Sequence, residues 1–336
     1  MKFPIQKIWR AVLVAIACLS ASPAIADSKA AWMTGVNLSG AELNAKKSRI
    51  NFDYVFPTIK EIEYFRAKGF RYFRLPVLMQ RLFQFEGGVP NPTPTADWKQ
   101  FVALVDKAAN IDAIIIVDFH QFGRTQSGLI GRDAAATQEF VAAWSETAKR
   151  LKDKPNVIFN LMNEPHEQTA EEWLPAANAA IAAIRQAGAK QLLLVPGSYW
   201  TGAHSWTTTP NARVMTGVVD PENNFAYDVH QYLDSNSSGT SPDAVPGSGS
   251  ERLKAFTEWA RQNHARGFLG EFGFSSAEPA LREGAALIKY MSDNRDVWIG
   301  WTYWAAGPWW GDYMYSVEPK NGTDRPQLDV LVQGNK

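Results

Sequence analysis

Apolar positions follow two alternating patterns along this chain. Short, almost unbroken apolar runs recur, and such runs are typical of strands that are buried on both faces. Most of them are separated by longer segments whose apolar side chains recur at helical spacing, which predicts amphipathic helices. Strands are predicted at residues 34–40, 71–77, 113–119, 156–164, 191–197, 225–233, 267–273 and 297–306.

This alternation predicts the fold class. Eight α/β units in a chain of this length favour a single-domain (β/α)8 TIM barrel over an open doubly wound sheet. The segment 198–224 shows no clear helix. The Ser-, Gly- and Pro-rich stretch 234–250 is interpreted as a long loop, because the alternation resumes after it. Helices are predicted at residues 57–69, 97–110, 136–152, 171–188, 251–264, 280–293 and, more weakly, 327–332.

The first residues have the pattern of a secretion signal. Its basic residues, apolar run and A-x-A cleavage site are Lys2, Lys7 and Arg10, residues 11–19, and Ala24-Ile-Ala26. We therefore predict a signal peptide at 1–26 and a secreted mature domain at 27–336, in the periplasm or the medium. The alternative is an uncleaved anchor, but the apolar run is too short to span a bilayer. The only cysteine, Cys18, lies in this segment, so the mature chain would contain no disulfide and no thiol nucleophile.

Charge and missing motifs narrow the possible functions. The chain carries 34 basic and 34 acidic residues, so it offers no basic field to a nucleic acid, and we expect no such partner. It lacks the H-E-x-x-H, G-x-S-x-G, G-x-G-x-x-G and P-loop motifs, which argues against zinc proteases, α/β-hydrolases and nucleotide cofactors. Two histidines near carboxylates leave a metal site as an alternative, but the ligand spacing is loose. We expect neither a cofactor nor a metal.

Polar residues cluster where the predicted strands end. In a barrel of this kind the chemistry lies at the carboxyl-terminal ends of the strands. We therefore expect these side chains to share one rim of the barrel. The residues at those ends are Arg74, His120, Asn163, Glu164, His230, Tyr232, Glu271 and Trp304.

Glu164 and Glu271 supply the pair of carboxyl groups that glycoside hydrolysis uses. One carboxyl protonates the leaving oxygen, while the other attacks the anomeric carbon or activates water. Burial at the end of an apolar strand is expected to raise the pKa of Glu164, which suits an acid. Arg74 is expected to keep Glu271 ionised, and Tyr232 to donate a hydrogen bond to it. A carboxyl separation of about 5 Å would predict retention of configuration.

Each supporting residue also has a purely structural interpretation. Arg74 would then form an ion pair that only stabilises the fold. His120 and His230 would be hydrogen-bonded core histidines, and Tyr232 would serve packing alone. The convergence of so many polar groups on one rim favours the functional interpretation.

Several segments resemble glycoside hydrolase family 5, in particular its fungal-type endo-β-1,4-glucanases. The Asn163-Glu164-Pro165 motif and the strand-eight motif beginning at Trp304 are the specific ones. The resemblance implies a TIM barrel, hydrolysis of β-1,4-linked glucan with retention and no metal or cofactor. We also expect a monomer that does not associate with membranes after signal cleavage. The matching segments are residues 35–42, 73–76, 156–166, 200–202, 230–234, 269–273 and 304–313.

The resemblance also implies individual roles. Glu164 matches the acid/base and Glu271 matches the nucleophile. Trp200 matches a residue on the leaving-group side. The residues that match the lining around the cleaved sugar are Arg74, His120, Asn163, His230, Tyr232 and Trp304.

One segment departs from the family pattern and leaves the substrate open. Gln121 and Phe122 stand where the family usually has Asn and Tyr, so a hydroxyl that can bond substrate is missing. The same mechanism acting on β-mannan, mixed-linkage glucan or xyloglucan is the alternative. A third hypothesis is a polysaccharide-binding barrel without activity, against which both carboxylates and their apparent partners argue.

Overall fold

Eight parallel strands form a closed barrel in the computed structural model, which describes residues 32–85 and 91–335. Each strand pairs with its neighbours in chain order, and β8 closes the ring onto β1. The predicted TIM barrel is therefore confirmed, while the predicted signal peptide at 1–26 lies outside the described residues. The strands are β1 Met33–Leu38, β2 Tyr72–Val77, β3 Ile114–Phe119, β4 Val157–Asn160, β5 Leu193–Pro196, β6 Phe225–His230, β7 Gly267–Glu271 and β8 Trp298–Ala306.

Helices cover the outside of the barrel at the predicted places. The 198–224 segment holds one short helix, Asn211–Val214, between two 3-10 turns. The sequence patterns did not predict the short helix Met79–Leu82 or two small antiparallel ribbons beside β2 and β3. The longer helices are α1 Ile59–Ala67, α2 Ala96–Ala109, α3 Ala134–Leu151, α4 Ala170–Gln186, α5 Ser248–Gln262, α6 Glu278–Asp293 and α7 Pro326–Gly334.

The barrel interior is built in two layers, because alternate residues of each strand face inward. The layer nearer the amino-terminal ends of the strands is apolar and consists of Met33, Tyr72, Ile116, Ile158, Leu194, Ala226 and Phe268. The interior side chains become polar two residues further along β2, β3, β4 and β6, and four residues further along β1. These polar side chains are Asn37, Arg74, Asp118, Asn160 and Asp228. The polar layer forms the base of the carboxyl-terminal mouth.

Two buried tryptophans fix the strand ends that approach this mouth. The indole of Trp144 donates a 2.9 Å hydrogen bond to the carbonyl of Leu161, just beyond β4. The indole of Trp173 donates a 2.7 Å bond to the carbonyl of Pro196 at the end of β5. Each indole thus satisfies its only donor while its rings fill the space between barrel and helices.

Candidate active site

Glu271, the last residue of β7, has a carboxylate held by two strong donors. Arg74 Nη1 donates to Oε1 at 2.8 Å, and the Tyr232 hydroxyl donates to Oε2 at 2.9 Å. Burial alone would raise the pKa of Glu271, but the charges of His230, Arg74 and His120 and the Tyr232 bond lower it below its ordinary value. The carboxylate is therefore kept ionised, as an attacking group must be.

Arg74 lies in the polar layer and is completely buried. Burial opposes its charge, but the neighbouring charges of Asp118 and Glu271 outweigh this and raise the guanidinium pKa further. The side chain supports the fold and also holds Glu271. Its other short contacts are Nε to Asn160 Oδ1 at 2.7 Å, Nη1 to Asn37 Oδ1 at 2.9 Å, Nη2 to Asn163 Oδ1 at 2.9 Å and Nη2 to Asp118 Oδ2 at 3.1 Å.

Glu164 lies four residues beyond the end of β4, on a segment predicted to be strand. β4 ends at Asn160, although the Asn163 amide still donates to the carbonyl of Phe119 at 2.9 Å. Glu164 has φ +41°, in the left-handed region that non-glycine residues rarely adopt. This conformation accompanies a side chain that reaches the mouth of the barrel, where 13% of it is exposed and Oε1 lies 2.7 Å from His230 Nδ1.

His230 lies between the two carboxyl groups. Its Nδ1 is 2.7 Å from Glu164 Oε1 and 3.6 Å from Glu271 Oε2, and its Nε2 is 3.6 Å from Asp228 Oδ2. Burial alone would lower the pKa of His230, but the charge of Glu271 and contacts with Asp228 and Glu164 raise it to about 10. The ring is therefore an imidazolium at neutral pH, and Nδ1–H donates to Glu164.

The two carboxyl groups are close enough to act on one bond. An oxygen of Glu164, a nitrogen of His230 and an oxygen of Glu271 all lie within 4.8 Å of one another. Retaining glycosidases have their carboxyl groups about 5–5.5 Å apart, whereas inverting enzymes need room for a water between them. The observed spacing fits retention.

The same three groups include the donor types that bind metal ions. Their spacing would allow a shared cation. However, both oxygens of Glu271 already accept hydrogen bonds from Arg74 and Tyr232, and His230 Nδ1 faces Glu164 Oε1 at 2.7 Å. These donor atoms are engaged in the hydrogen bonds of the site itself, which argues against a metal ion here.

His120 and Trp304 form a second wall of the mouth. His120 Nδ1 is 2.7 Å from Asp118 Oδ2, and its ring stacks on Trp304 with centroids 5.5 Å apart and planes 15° apart. Burial alone would lower the pKa of His120, but Asp118 raises it. Trp304 also packs edge-on against Trp310. A flat, rigid apolar surface of this kind suits the apolar face of a sugar ring.

The structure brings together every residue predicted for the site, with Trp200 further out on the rim. An open cleft of about 760 Å³ is lined by His120, Asn163, Glu164, Trp200, His230, Tyr232, Glu271 and Trp304, and Arg74 lies buried beside them. Trp200 is 51% exposed. The loop from 236 to 240 forms the opposite wall, and Asp234 orders it by accepting amide hydrogens from Gly239 and Thr240 at 3.0 and 3.1 Å.

Four buried residues of the polar layer had no role in the sequence analysis. Asn160 links Arg74 to Asp228 through bonds of 2.7 and 2.9 Å. Asn37 accepts from Arg74 and donates to the carbonyl of Gly270 at 2.9 Å. The sequence does mark three of the four, because Asp118, Asn160 and Asp228 are polar residues that interrupt apolar runs.

A barrel whose mouth holds two such carboxyl groups has the arrangement of a two-carboxylate glycoside hydrolase. The family model described as cellulase (glycosyl hydrolase family 5) matches residues 29–307. The chain is 35% identical to endo-β-1,4-glucanase B of Aspergillus niger over 304 residues, 88% of each protein. Among solved structures, the endo-β-1,4-glucanase Xac0029 from Xanthomonas axonopodis pv. citri has a TM-score of 0.86 at 40% identity, covering 90% of this chain and 98% of that one.

A second solved structure, XacCel5A in complex with cellopentaose, has a TM-score of 0.87 at 38% identity and covers 90% of this chain and 99% of that one. The chain belongs to the cellulase family, glycosyl hydrolase family 5, and is a glycoside hydrolase. The resemblance stated from the sequence motifs is confirmed.

Proposed function

We propose that this protein is a retaining endo-β-1,4-glucanase in which Glu271 is the nucleophile and Glu164 is the acid/base. The observation that carries the proposal is the pair of carboxyl groups within 4.8 Å in unequal surroundings. Glu271 is fixed by Arg74 and Tyr232, whereas Glu164 lies at the open cleft with one short partner, His230. We propose a β-1,4-glucan substrate because similar proteins are named endo-β-1,4-glucanases.

The proposed reaction has two steps. Glu271 attacks the anomeric carbon, and Glu164 gives its proton to the departing glycosidic oxygen, so a covalent glycosyl-enzyme forms and the chain end leaves. Glu164 then takes a proton from water, which attacks the same carbon and frees Glu271. The imidazolium of His230 donates to Glu164 whenever that carboxyl is charged, which offsets the repulsion between the two carboxylates.

Other residues bind the substrate in this proposal. Trp304 supports the ring being cleaved, and His120 and Asn163 bond its hydroxyl groups. Trp200 offers an exposed indole for the sugar on the leaving side. All of these groups come from one chain, so we expect a monomer to suffice.

We also propose that the protein is secreted after cleavage of residues 1–26. The basic residues, apolar run and A-x-A site at the N-terminus support this. In the part of the chain that the structure describes, no helix is long and apolar enough to cross a membrane.

The test is reducing-sugar release from carboxymethylcellulose by wild type, Glu164→Gln and Glu271→Gln. Glu167→Gln is the matched control, because this carboxylate lies three residues from Glu164 but pairs with Arg124 on the surface. We expect both site variants to lose at least about a thousandfold, in line with the loss of a nucleophile or a proton donor, while the control keeps wild-type rates.

The outcomes separate the hypotheses. Activity of wild type on mannan but not on carboxymethylcellulose would keep the mechanism and replace the substrate. Binding of glucan without the appearance of new reducing ends would favour a polysaccharide-binding barrel without activity. Full activity of either site variant would show that the carboxyl pair is misassigned.

A further inference from the structure

We propose that His166 is a positioning residue that connects Glu164 to the indole of Trp200, so that a sugar bound on the leaving side helps to align the proton donor. This inference rests on the role proposed above for Glu164. His166 does not line the cleft, so it acts through its two neighbours and not on substrate.

The first connection is a hydrogen bond to the backbone of Glu164. His166 Nδ1 lies 3.0 Å from the carbonyl oxygen of Glu164. A carbonyl only accepts, so Nδ1 must carry the proton and donate it. The bond holds a backbone that has φ +41°, and such a conformation persists only where surrounding contacts maintain it.

The second connection is a close stack. The rings of His166 and Trp200 have centroids 3.5 Å apart and planes within 8° of parallel. One face of the Trp200 indole is therefore covered by His166. The exposed indole lines the cleft, so its other face is the one available to a sugar ring.

Backbone and side-chain contacts make the two segments a single unit. The Trp200 amide donates to the carbonyl of Pro165 at 3.1 Å. Tyr199, Trp200 and Thr201 all have positive φ, between 47° and 60°. Phe122 closes the cluster from the side, with its ring edge-on to both His166 and Trp200 at 6.0 Å.

The consequence concerns the first step of the proposed reaction, in which Glu164 protonates the departing oxygen. A sugar stacked on Trp200 restrains the indole, the indole restrains the His166 ring, and the ring restrains the carbonyl of Glu164. Loss of this chain should slow the departure of leaving groups that require a proton. It should spare leaving groups that depart as stable anions.

The test uses two substrates that differ only in the substituents of the aromatic leaving group, phenyl β-cellobioside and 2,4-dinitrophenyl β-cellobioside. Only the phenyl compound needs protonation to leave. His166→Phe keeps a ring for stacking and removes the donor, whereas His166→Asn keeps a donor near the Nδ1 position and removes the ring. His264→Phe is the control, because His264 is exposed just before β7, at the opposite end of the barrel.

We expect His166→Phe to lose about tenfold in kcat/KM on phenyl cellobioside, a part of the usual contribution of a general acid, and less than about twofold on the dinitrophenyl compound. His166→Asn should raise the KM for cellopentaose, because Trp200 loses its support, and should keep more of the phenyl cellobioside activity. His264→Phe should behave as wild type on both compounds.

Equal losses on both aryl substrates in His166→Phe would show a merely structural role and overturn the inference. Unchanged rates on both substrates would show that the hydrogen bond from His166 to Glu164 does not affect catalysis, and this result would also overturn the inference. Glu164→Gln is measured alongside. If that variant still cleaves phenyl cellobioside at wild-type rates, the proposed function itself fails, which is a different result from either of these.

Discussion

Replacing Arg74 with methionine is expected to move the acid limb of the pH–rate profile. Methionine is unbranched and of comparable length, so it fills much of the same space while removing the cation 2.8 Å from Glu271 Oε1. Both side chains are buried, with 0% and 5% exposure, so solvent screens the pair weakly.

The magnitude follows from this geometry. Two unit charges at 2.8 Å interact by about 6 kcal/mol at an effective dielectric constant of 20. This is an upper bound, because the charges of His230 and His120 remain beside Glu271. A nearby opposite charge usually shifts a carboxyl pKa by about 1–3 units, or about 1.4–4 kcal/mol.

The direction of the effect is fixed by the sign of the shift. The folded-state pKa of Glu271 is lowered, so the carboxylate adds stability above its unfolded value of 4.5 and loses it as the pH falls through the folded value. Removing Arg74 raises the pKa of Glu271. The acid limb of kcat/KM should then move up by about one to three pH units.

The assay measures kcat/KM for a soluble cellooligosaccharide between pH 3.5 and 8, with thermal melts at each pH. Methionine also removes the guanidinium 3.1 Å from Asp118, and breaking a buried pair costs about 3–5 kcal/mol, so folding must be checked. Arg74→Lys keeps the charge and should shift the limb by less than about one unit, although one nitrogen cannot replace three.

Arg185→Met is the matched control. Arg185 pairs with buried Asp220 at 2.7 Å, outside the active-site cleft. It should lose comparable stability and leave the acid limb in place. A folded Arg74→Met with an unmoved acid limb would refute the reasoning, and an equal shift in Arg74→Lys would show that geometry and not charge controls Glu271.

Two further predictions concern stability. His230 has a folded-state pKa raised from 6.5 to about 10, so its stabilisation is full below about pH 6.5 and disappears as the pH rises through 10. The gap in unfolding free energy between wild type and His230→Gln should therefore shrink from pH 6 to pH 10 in urea titrations, and a constant gap would contradict the assigned charge. Gly35→Ala should cost about 3 kcal/mol or more, because a Cβ there would lie 1.6 Å from the carbonyl oxygen of Tyr72. Gly311→Ala, which meets nothing within 4 Å but has φ +56°, should cost only about 1–2 kcal/mol in the same melts, and equal losses would refute the packing argument.

Much of the fold was predictable from local pattern. Apolar runs such as 113–119 are long enough to identify buried strands, and the helical segments between them are amphipathic. Their count and order then leave few topologies open, because parallel strands need crossover connections. The candidate carboxyl groups were predictable for a similar reason, since a polar residue such as Glu271 at the carboxyl-terminal end of a buried strand lies at the mouth of a barrel.

The end of β4 and the shortest elements were not predicted from the sequence. β4 ends at Asn160, and Glu164 adopts a left-handed backbone conformation that the apolar run before it does not predict. The short helix Met79–Leu82 and the ribbons beside β2 and β3 were missed, because elements of two to four residues have no measurable periodicity.

The assembly of the polar layer was decided by tertiary structure. Asp118, Asn160 and Asp228 interrupt apolar runs in the sequence, but the pattern of a strand buried on both faces does not reveal which residues face the barrel axis. The register of β2, β3, β4 and β6 places Arg74, Asp118, Asn160 and Asp228 side by side. The chain order identified the two carboxyl groups, but their separation within 4.8 Å and their unequal partners arise only when the ring of strands closes.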